Sequence, residues 1–249
     1  MKAVLSDIHG NLAALEAVLA DIESRNIHEI VCLGDVIGYG PEPIECLNKT
    51  KDSDTLIMGN HEEAVLEHSS ETFNVRARKA VDWTRKTLFE NDWEEEEVRK
   101  EREQFLRTWM RQTNILDIQY VHGSPRQPTR EYVTPKSAMN KKKMTAIFEA
   151  LEHICFIGHT HIPGIFTEEG FSHPSELMNV FILGNEKTLV NVGSVGQPRD
   201  GDSRSCYVTF DEETVVWRRV EYDVKSTVSK IYRISELDNF LGDRLLDGK

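Results

Sequence analysis

The chain has 249 residues, of which 39% are hydrophobic and 29% charged, and its formal net charge at pH 7 is −12. This length suits one large domain, or one domain with an insertion, that buries a sizeable core. The excess of acidic residues repels a polyanion, which argues against nucleic acid as the main partner. A small anionic substrate is still compatible with this charge, because bound divalent cations can dominate the local field.

Nothing in the chain indicates a membrane span or a secretory leader. The longest apolar runs, such as residues 30–33, are short and strand-like, and the N-terminal residues lead directly into a polar motif. The cysteines stand among apolar neighbours without a Cys-x-x-Cys pair, at Cys32, Cys46, Cys155 and Cys206. Reduced core thiols are therefore favoured over disulfides or a zinc site. Together these features predict a cytoplasmic protein.

Strands and helices alternate in the first part of the chain. Strands are predicted at residues 3–5, 30–33 and 55–58, with helices at 11–25 and 43–48. The apolar residues of the first helix fall on one face: Leu12, Leu15, Val18, Leu19 and Ile22. This order is typical of βαβ units and a mainly parallel sheet.

The segment from about residue 62 to 112 has a different character. It is highly charged, contains neither Pro nor Gly, and shows helical patterns centred near Ala80 and Phe105. Its acidic run at residues 94–97, followed by basic residues, predicts a solvated helix face with i,i+4 ion pairs; a protein-binding helix is the alternative. We interpret this segment as a helical insertion, or cap, within a single domain of residues 1–249.

Strands resume in the second part of the chain, at residues 118–121 and 154–157, with a helix at 139–151 between them. Further strands follow without intervening helices, at residues 180–183, 188–192, 206–210 and 215–220, and two helices are predicted within 224–246. This part is expected to be antiparallel. The predicted fold class is therefore α/β, with two sheets that face each other.

Five polar motifs directly follow predicted strands, where α/β sheets collect ligands: Asp7-Ile8-His9, Gly34-Asp35, Gly59-Asn60-His61, His122-Gly123 and Gly158-His159-Thr160-His161. Any single motif is a weak signal, since Gly-Asp is commonly a turn and an isolated His is commonly structural. Core packing does not explain why the series contains five of the nine histidines.

The residue types in these motifs suit metal binding. Carboxylates and imidazoles together favour Mn, Fe, Zn or Ni, whereas the lack of clustered thiolates argues against a structural zinc site. Asp7 and His9 are two apart on a segment expected to be extended, so they should point the same way and chelate one ion. His159 and His161 should repeat that arrangement. Asp35 can bridge two ions through its two oxygens, and further ligand atoms are offered by Asn60 and His122.

This series of motifs resembles the calcineurin-like metallophosphoesterase superfamily, and residues 34–41 and 191–201 resemble its small prokaryotic phosphodiesterase branch. The resemblance implies two facing mixed β-sheets flanked by helices, an αββα sandwich. It also implies two bound ions, with Mn as the first expectation and Fe, Ni or Zn as alternatives. One ion would be held by Asp7, His9, Asp35 and His161, and the other by Asp35, Asn60, His122 and His159.

A mechanism follows from such a centre. Two ions about 4 Å apart lower the pKa of a shared water and clamp phosphate oxygens, and the resulting hydroxide attacks phosphorus in line with the leaving oxygen. His61 is then the candidate that stabilises the charge or protonates the leaving group; its alternative role is a hydrogen bond to a ligand. Glu62 either orients His61 or begins the next helix as a first-turn acid.

Two more residues are candidates for substrate contacts. Asn11 either caps the first helix or contacts a phosphate, and Arg199, in a Gly- and Pro-rich turn, either meets a phosphate or lies in a plain loop. In the protein Ser/Thr phosphatase branch, an Asp-Arg pair follows the Gly-Asp motif. Here residues 38–41 read Gly-Tyr-Gly-Pro. This departure favours a phosphodiester, a nucleotide or a dinucleoside polyphosphate over a phosphoprotein.

Two rival functions are a non-catalytic metal-binding scaffold and a nuclease. A non-catalytic metal-binding scaffold on the same fold is expected to have lost ligands or the His of Gly-Asn-His, and all are present. A nuclease is expected to carry a basic stripe with interleaved aromatic residues, which is lacking here. The expected partner is therefore a small phosphorylated substrate, with no membrane and no nucleic acid.

Overall fold

The computed structural model describes residues 1–71, 73–211 and 213–249. Its strands are β1 Lys2–Leu5, β2 Glu29–Cys32, β3 Thr55–Leu56, β4 Gln112–Ile115, β5 Ile118–Val121, β6 Ile154–Ile157, β7 Gly164–Thr167, β8 Gly170–Ser172, β9 Val180–Ile182, β10 Thr188–Asn191, β11 Ser205–Phe210 and β12 Thr214–Val220. Its α-helices are α1 Leu12–Ser24, α2 Pro43–Thr50, α3 Asn60–Glu67, α4 Val75–Phe89, α5 Glu96–Arg107, α6 Lys141–Glu149, α7 Val224–Tyr232 and α8 Phe240–Asp247. Short 3-10 helices span Pro135–Met139 and Pro174–Leu177.

The strands form two six-stranded sheets, in the orders β3-β2-β1-β11-β12-β9 and β4-β5-β6-β10-β7-β8. Both sheets are mixed, since β1, β2 and β3 pair in parallel, as do β5, β6 and β10, while the other neighbours are antiparallel. The expectation that the later strands are antiparallel is wrong for β10. A long connection through β7, β8 and β9 separates β10 from β6, and such connections permit parallel pairing.

Successive side chains of a strand point alternately into two different hydrophobic cores. Val4 of β1 points into the core between the sheets, whereas its neighbours Ala3 and Leu5 pack against α1 and α2. In the other sheet, Phe156 of β6 lies between the sheets, and Ile157 packs against α6. This period of two buries both faces of both sheets. The predicted pair of facing mixed sheets flanked by helices is confirmed.

The described part of the segment 62–112 consists of α3, α4 and α5 and ends at β4; Thr72, which the predicted insertion includes, lies outside the described residues. Residues of α4 share a core cluster with α7 and α8. On α5, Glu96 and Lys100 form an i,i+4 pair at 2.7 Å, as the charge pattern predicted. The side chain of Arg102 differs, because it is buried and pairs with Glu94. A cap function for this segment stays a prediction.

Two expectations from composition concern the thiols and the membrane. The four cysteines are free and buried, in agreement with their prediction as core thiols. Burial raises the pKa of Cys206 to about 12, so this thiol stays protonated near neutral pH. None of the described helices combines the length and the apolar composition that a bilayer span needs.

Candidate metal centre

One edge of the sandwich collects the polar motifs. Parallel strands end at a common edge of their sheet, so the loops after β1, β2 and β3 bring Asp7, Asp35 and Asn60 together. The loops after β5 and β6 of the facing sheet carry His122 and His159 to the same edge. Side chains from the two sheets meet there, since Nε2 of His122 lies 3.3 Å from Oδ2 of Asp35.

The backbone at these positions is left-handed rather than extended. The φ angles of Asp7 and His9 are 55° and 50°, and those of His159 and His161 are 65° and 61°. The expected extended segments are therefore wrong at both motifs. Asp35 shares this conformation with φ 50°. A left-handed non-Gly residue costs on the order of 1–3 kcal/mol and needs support from its surroundings, which is typical of functional sites.

Asp7, His9 and His161 form the first cluster of candidate ligands. The Oδ1 atom of Asp7 lies 3.1 Å from Nε2 of His161 and 3.7 Å from Nε2 of His9. The two Nε2 atoms are 3.1 Å apart. All three side chains are buried, and their ligand atoms lie within 4.8 Å of one another. His9 and Asp7 therefore converge as predicted, although the backbone brings them together differently.

Asp35, Asn60, His122 and His159 form the second cluster. Nε2 of His122 lies 3.0 Å from Nδ1 of His159 and 3.1 Å from Oδ1 of Asn60. Oδ2 of Asp35 lies 3.3 Å from the same His122 nitrogen. The same Oδ2 lies 3.7 Å from Nε2 of His9 in the first cluster. One carboxylate oxygen thus joins the two clusters.

The ring orientations of three imidazoles suit a cation. Each ring places Nδ1 against a main-chain carbonyl oxygen, at 3.2, 3.0 and 2.6 Å: His9 against Ile37, His122 against Leu33 and His161 against Gln197. Nδ1 therefore carries the proton that donates, and in the neutral form of each ring the lone pair of Nε2 faces the cluster. Asp7 Oδ1 consequently has no hydrogen-bond donor among the described residues. Lone pairs that face each other repel unless a cation or a proton lies between them, so these residues fit bound metal ions.

The titration behaviour of the cluster agrees with this fit. Burial lowers the pKa of His159 to about 3. At His122 burial also favours the neutral ring, but the charge of Asp35 and its hydrogen bond outweigh burial and raise the pKa to about 9. The carboxylate of Asp35 is stabilised in return: burial opposes its ionisation, yet the imidazoles of His122 and His61 hold its pKa well below the ordinary value. The cluster therefore stabilises positive charge beside Asp35.

His61 lies beside the first cluster. Its ring centroid is 4.8 Å from that of His9, and its main-chain N–H donates to Oδ1 of Asp35 at 2.9 Å. Burial lowers the pKa of His61 to about 4. Its Nδ1 has no hydrogen-bond partner among the described residues and lies so close to Gly38 that an added Cβ there would stand 2.1 Å away. The predicted reacting residue is thus near the candidate ligands but is packed against a glycine on one side.

Glu62 has a role that the sequence analysis missed. Its carboxylate accepts four main-chain N–H groups at 2.8 to 3.1 Å, those of Asp35, Val36, Ile37 and Gly59. It therefore ties the loop after β2 to the start of α3 and makes no hydrogen bond to the His61 ring. The alternative expectation, a first-turn acid of the next helix, agrees with its place in α3. Burial, together with the charge of Asp35, raises its pKa to about 7.

Side chains at the end of β10 and just after it form hydrogen bonds to the loops that carry the candidate ligands. The side-chain amide of Asn191 donates to the carbonyl oxygen of Gly158 at 2.8 Å, and the Ser194 hydroxyl donates to that of Asp7 at 2.8 Å. Sequence reasoning assigned neither residue a role. A signal was present, because both lie within the segment 191–201 that resembles the prokaryotic branch.

Asn11 caps α1 and is buried. Its Oδ1 accepts from the main-chain N–H of Ala14 at 3.2 Å and from the Thr227 hydroxyl at 2.8 Å. Its Nδ2 donates to the carbonyl oxygen of Gly196 at 2.8 Å and to the Tyr222 hydroxyl at 3.1 Å. These contacts use every donor and acceptor of the side chain. We therefore leave Asn11 out of the substrate site and assign it to the helix cap.

Arg199 is half-buried and lies beside the centre. Its Nη2 donates to the side-chain oxygen of Gln197 at 2.6 Å, and its Cζ is 5.9 Å from the ring centroid of Tyr39. The Tyr39 ring in turn lies 4.6 Å from the ring of His9. The structure thus brings the predicted phosphate contact to the edge of the candidate site.

A cavity of about 310 Å³ opens next to the second cluster. Asn60 and His159 line it on the side of the metal centre, and Tyr39, Phe73 and Tyr132 supply aromatic walls. The Tyr132 ring lies against the ring of His159, with 3.7 Å between their centroids and 33° between their planes. The cavity therefore offers space for a planar group immediately beside the candidate ligands.

The comparisons with known proteins agree with this geometry. Residues 1–214 match the model of the calcineurin-like phosphoesterase superfamily domain. The chain belongs to this superfamily. It is 37% identical to an uncharacterized protein of Methanocaldococcus jannaschii over 260 residues, which cover 100% of this phosphoesterase and 98% of the relative.

Solved structures are similar to this phosphoesterase over its whole length. A metallophosphoesterase from Sphaerobacter thermophilus is 33% identical with a TM-score of 0.83, covering 100% of this chain and 99% of its own. A hypothetical protein from Pyrococcus horikoshii has a TM-score of 0.74 with the same coverage, and at 21% identity it shows the fold alone. The resemblance seen in the sequence is confirmed. The chain is a metallophosphoesterase, a metal-dependent hydrolase of phosphate esters.

Proposed function

We propose that this metallophosphoesterase binds two divalent or transition-metal ions and hydrolyses a phosphodiester or phosphoanhydride bond of a small substrate. One ion would be held by Asp7, His9, Asp35 and His161, and the other by Asp35, Asn60, His122 and His159. The observation that carries the proposal is the position of Asp35 Oδ2, which lies 3.7 Å from Nε2 of His9 and 3.3 Å from Nε2 of His122. When bound, such ions supply a water of lowered pKa and positive charge for phosphate oxygens.

His61 is proposed as the residue that acts on the leaving group. Its main-chain N–H is held by Asp35, which fixes the residue beside the centre without a separate orienting side chain. A neutral imidazole still has one N–H to donate, and a donor aimed at the leaving oxygen stabilises the charge that develops there. This role fits a buried ring with a pKa of about 4 better than permanent protonation does.

We propose a nucleotide or a dinucleoside polyphosphate as the substrate class. The loop at residues 38–41 lacks the arginine that grips phosphate in protein Ser/Thr phosphatases, and Tyr39 occupies this stretch instead. The cavity beside Asn60 and His159 has walls from Tyr39, Phe73 and Tyr132. Aromatic walls pack well against a planar base, and a few polar groups then orient the ligand.

The central test is hydrolysis of a bis-aryl phosphate diester with Mn²⁺ by the wild type and by Asp35→Asn. We expect the variant to lose activity by on the order of 10³-fold, because the shared ligand contributes several kcal/mol to charge stabilisation. The matched control is Asp92→Asn, since Asp92 is exposed in the segment between α4 and α5. That variant should retain full activity.

Metal content measured by mass spectrometry provides a readout without turnover. We expect two ions per wild-type chain and fewer in Asp35→Asn. Metal binding without hydrolysis across a panel of diesters, monoesters, cyclic nucleotides, dinucleoside polyphosphates and single-stranded DNA would instead support the non-catalytic scaffold. If a phosphopeptide were the best substrate, the interpretation of the Gly-Tyr-Gly-Pro loop would be wrong.

A further inference from the structure

His159 is held differently from the other imidazoles among the candidate ligands. The rings of His9, His122 and His161 each place Nδ1 against a main-chain carbonyl oxygen. The ring of His159 instead turns Nδ1 toward the second cluster, where this atom lies 3.0 Å from Nε2 of His122. Its Nε2 is buried and has no hydrogen-bond partner among the described residues. No hydrogen bond on the side away from the cluster therefore fixes the orientation of this ring.

An aromatic side chain lies where the other rings have a hydrogen bond. The ring of Tyr132 packs against that of His159, with 3.7 Å between their centroids and 33° between their planes. At this distance, atoms of the two rings are in van der Waals contact. The other ring pair that His159 makes among the described residues is with His122, which is itself a candidate ligand. Tyr132 thus supplies an aromatic contact that restricts the rotation of the His159 ring.

The segment around Tyr132 is anchored to the rest of the molecule. Val133 is buried and packs in the same core as residues of α6. The main-chain carbonyl oxygen of Tyr132 accepts a hydrogen bond from Nζ of Lys143 in α6. On the other side, Glu131 accepts from the hydroxyl of Ser124, in the loop after β5. These contacts hold the backbone in place, so the Tyr132 ring can support a neighbour although the residue is 51% exposed.

The surroundings of Tyr132 argue against a plain packing role. Its hydroxyl makes no hydrogen bond to the described residues, and its ring contacts a candidate ligand. Tyr132 also lines the cavity beside Asn60 and His159. A cavity wall acts only when a substrate is bound, whereas a residue that orients His159 affects metal binding without any substrate. Metal binding therefore distinguishes the two roles.

We propose that Tyr132 is a positioning residue of the second metal site, where its ring holds the imidazole of His159 with Nδ1 toward the ion. This role rests on the proposed function, which assigns His159 to the second ion together with Asp35, Asn60 and His122. The ring contact of Tyr132 is with a residue of this site alone. Loss of the ring therefore weakens the second ion and leaves the first ion bound.

The experiment titrates chelator-treated protein with Mn²⁺ in a calorimeter, which gives the number of ions and the affinity of each. Tyr132→Leu removes the aromatic ring but keeps an apolar side chain. We expect one of the two ions to bind roughly ten- to hundredfold more weakly in this variant, as when the partner that orients a ligand is lost. The other ion should bind as in the wild type.

Two further variants serve as controls. Tyr132→Phe keeps the ring and loses only the hydroxyl, so it should bind both ions with wild-type affinity. Tyr232→Leu removes an exposed tyrosine of α7 that does not line the cavity beside Asn60 and His159, and it should also bind both ions normally. Equal weakening by Tyr132→Phe and Tyr132→Leu would show that the ring does not carry the effect. Melting curves verify that each variant is folded, and Tyr132→Met replaces Tyr132→Leu if the latter does not fold.

A double substitution identifies the ion that depends on Tyr132. His159→Ala removes a ligand of the second ion directly, so adding Tyr132→Leu should cause no further loss of affinity. In His9→Ala the first ion is weakened instead, and adding Tyr132→Leu should then weaken the remaining ion as well. Additive losses of affinity in the double variant with His159→Ala would contradict the proposed role, because Tyr132 would then act independently of His159.

The outcomes of the titration distinguish the role of Tyr132 from the two-ion centre. If the wild type binds a single ion whose affinity still falls in Tyr132→Leu, the two-ion centre fails and the role of Tyr132 stands. If the wild type binds two ions and Tyr132→Leu binds both with unchanged affinity, the role of Tyr132 is wrong and the two-ion centre stands. A wild type that binds no metal ion would overturn both.

Discussion

The loops at the candidate metal-binding edge and the helix α5 both carry acidic residues, but the surroundings of these residues differ. Asp35 and Glu62 are almost completely buried. Main-chain N–H groups donate to both oxygens of Glu62 and to Oδ1 of Asp35, while Oδ2 of Asp35 faces the imidazoles of His9 and His122. On α5, Glu96 is exposed and Glu103 is half-buried, and each pairs with a basic residue one turn further along. Buried carboxylates need compensation from hydrogen bonds or cations, whereas exposed pairs contribute little. The energetic contribution of a carboxylate in this protein therefore depends on its surroundings, and not on whether it is an Asp or a Glu.

Among the variants that test this comparison, the largest effect is expected from adding one methyl group at the buried edge. An alanine Cβ at Gly59 would lie 2.1 Å from Oδ1 of Asp35 and 2.4 Å from its main-chain nitrogen. Asp35 must then move away from the position it shares with His9 and His122. Since a misplacement of about 1 Å can reduce catalysis by on the order of 10²-fold, we expect Gly59→Ala to lose at least that much diester hydrolysis.

Gly184→Ala is the control for this change. A Cβ at Gly184 would meet no heavy atom within 4 Å, and its φ is not in the left-handed region. Its kcat/KM should equal that of the wild type. If Gly59→Ala were as active as Gly184→Ala, the assignment of Asp35 as the shared ligand would be contradicted.

The next prediction replaces the buried acceptor of the loop. Glu62→Gln keeps the shape but turns one oxygen into an NH₂ group that faces two main-chain N–H donors. Unsatisfied buried donors cost about 1–3 kcal/mol each, so we expect a loss of about 3 kcal/mol in the free energy of unfolding. For a domain of this size, the melting temperature should fall by roughly 6–12 °C.

Glu97→Gln on α5 tests the other half of the comparison. Glu97 is exposed and has no hydrogen bond or ion pair among the described side chains. Thermal unfolding followed by circular dichroism should show the same melting temperature as the wild type. Equal destabilisation by both glutamate variants would mean that the four N–H contacts of Glu62 do not carry the energy assigned to them.

The same comparison explains what the sequence could predict. Asp7, Asp35 and the histidines stand directly after apolar runs, so their convergence at one sheet edge follows from strand order alone. Their left-handed backbone does not, because φ depends on contacts from distant loops, such as the hydrogen bond from the main-chain N–H of His9 to the carbonyl oxygen of Asp35 at 2.8 Å. The role of Glu62 was missed for a similar reason, since its four partners lie in two separate segments.

Strand prediction failed where local patterns are weak. β4 reads Gln-Thr-Asn-Ile and lies at a sheet edge, and β7 and β8 are short and each begins with glycine. β4 and β8 lack a run of β-branched residues, and the β-branched and aromatic residues of β7, Ile165, Phe166 and Thr167, form too short a run to mark a strand. Pairing with neighbours, rather than their own composition, makes them strands. The parallel pairing of β10 likewise depends on the route of the chain and not on its residues.

The smallest effects are expected for two ion pairs of α5 that differ in burial. These are Arg102 with Glu94 and Lys100 with Glu96. The Arg102 side chain is 7% exposed and reaches both Glu94 and the carbonyl oxygen of Leu88. Because Glu94 stays partly solvated, its isolated charge costs less than a fully buried one, and we expect Arg102→Met to lose about 1–2 kcal/mol. Glu96→Gln removes an exposed pair with Lys100 and should leave the melting temperature unchanged. Neither variant should alter the kcat/KM for the diester, because both residues lie outside the cavity beside Asn60 and His159. A large loss of activity in Arg102→Met without a loss of stability would instead show that the helical segment takes part in catalysis as a cap.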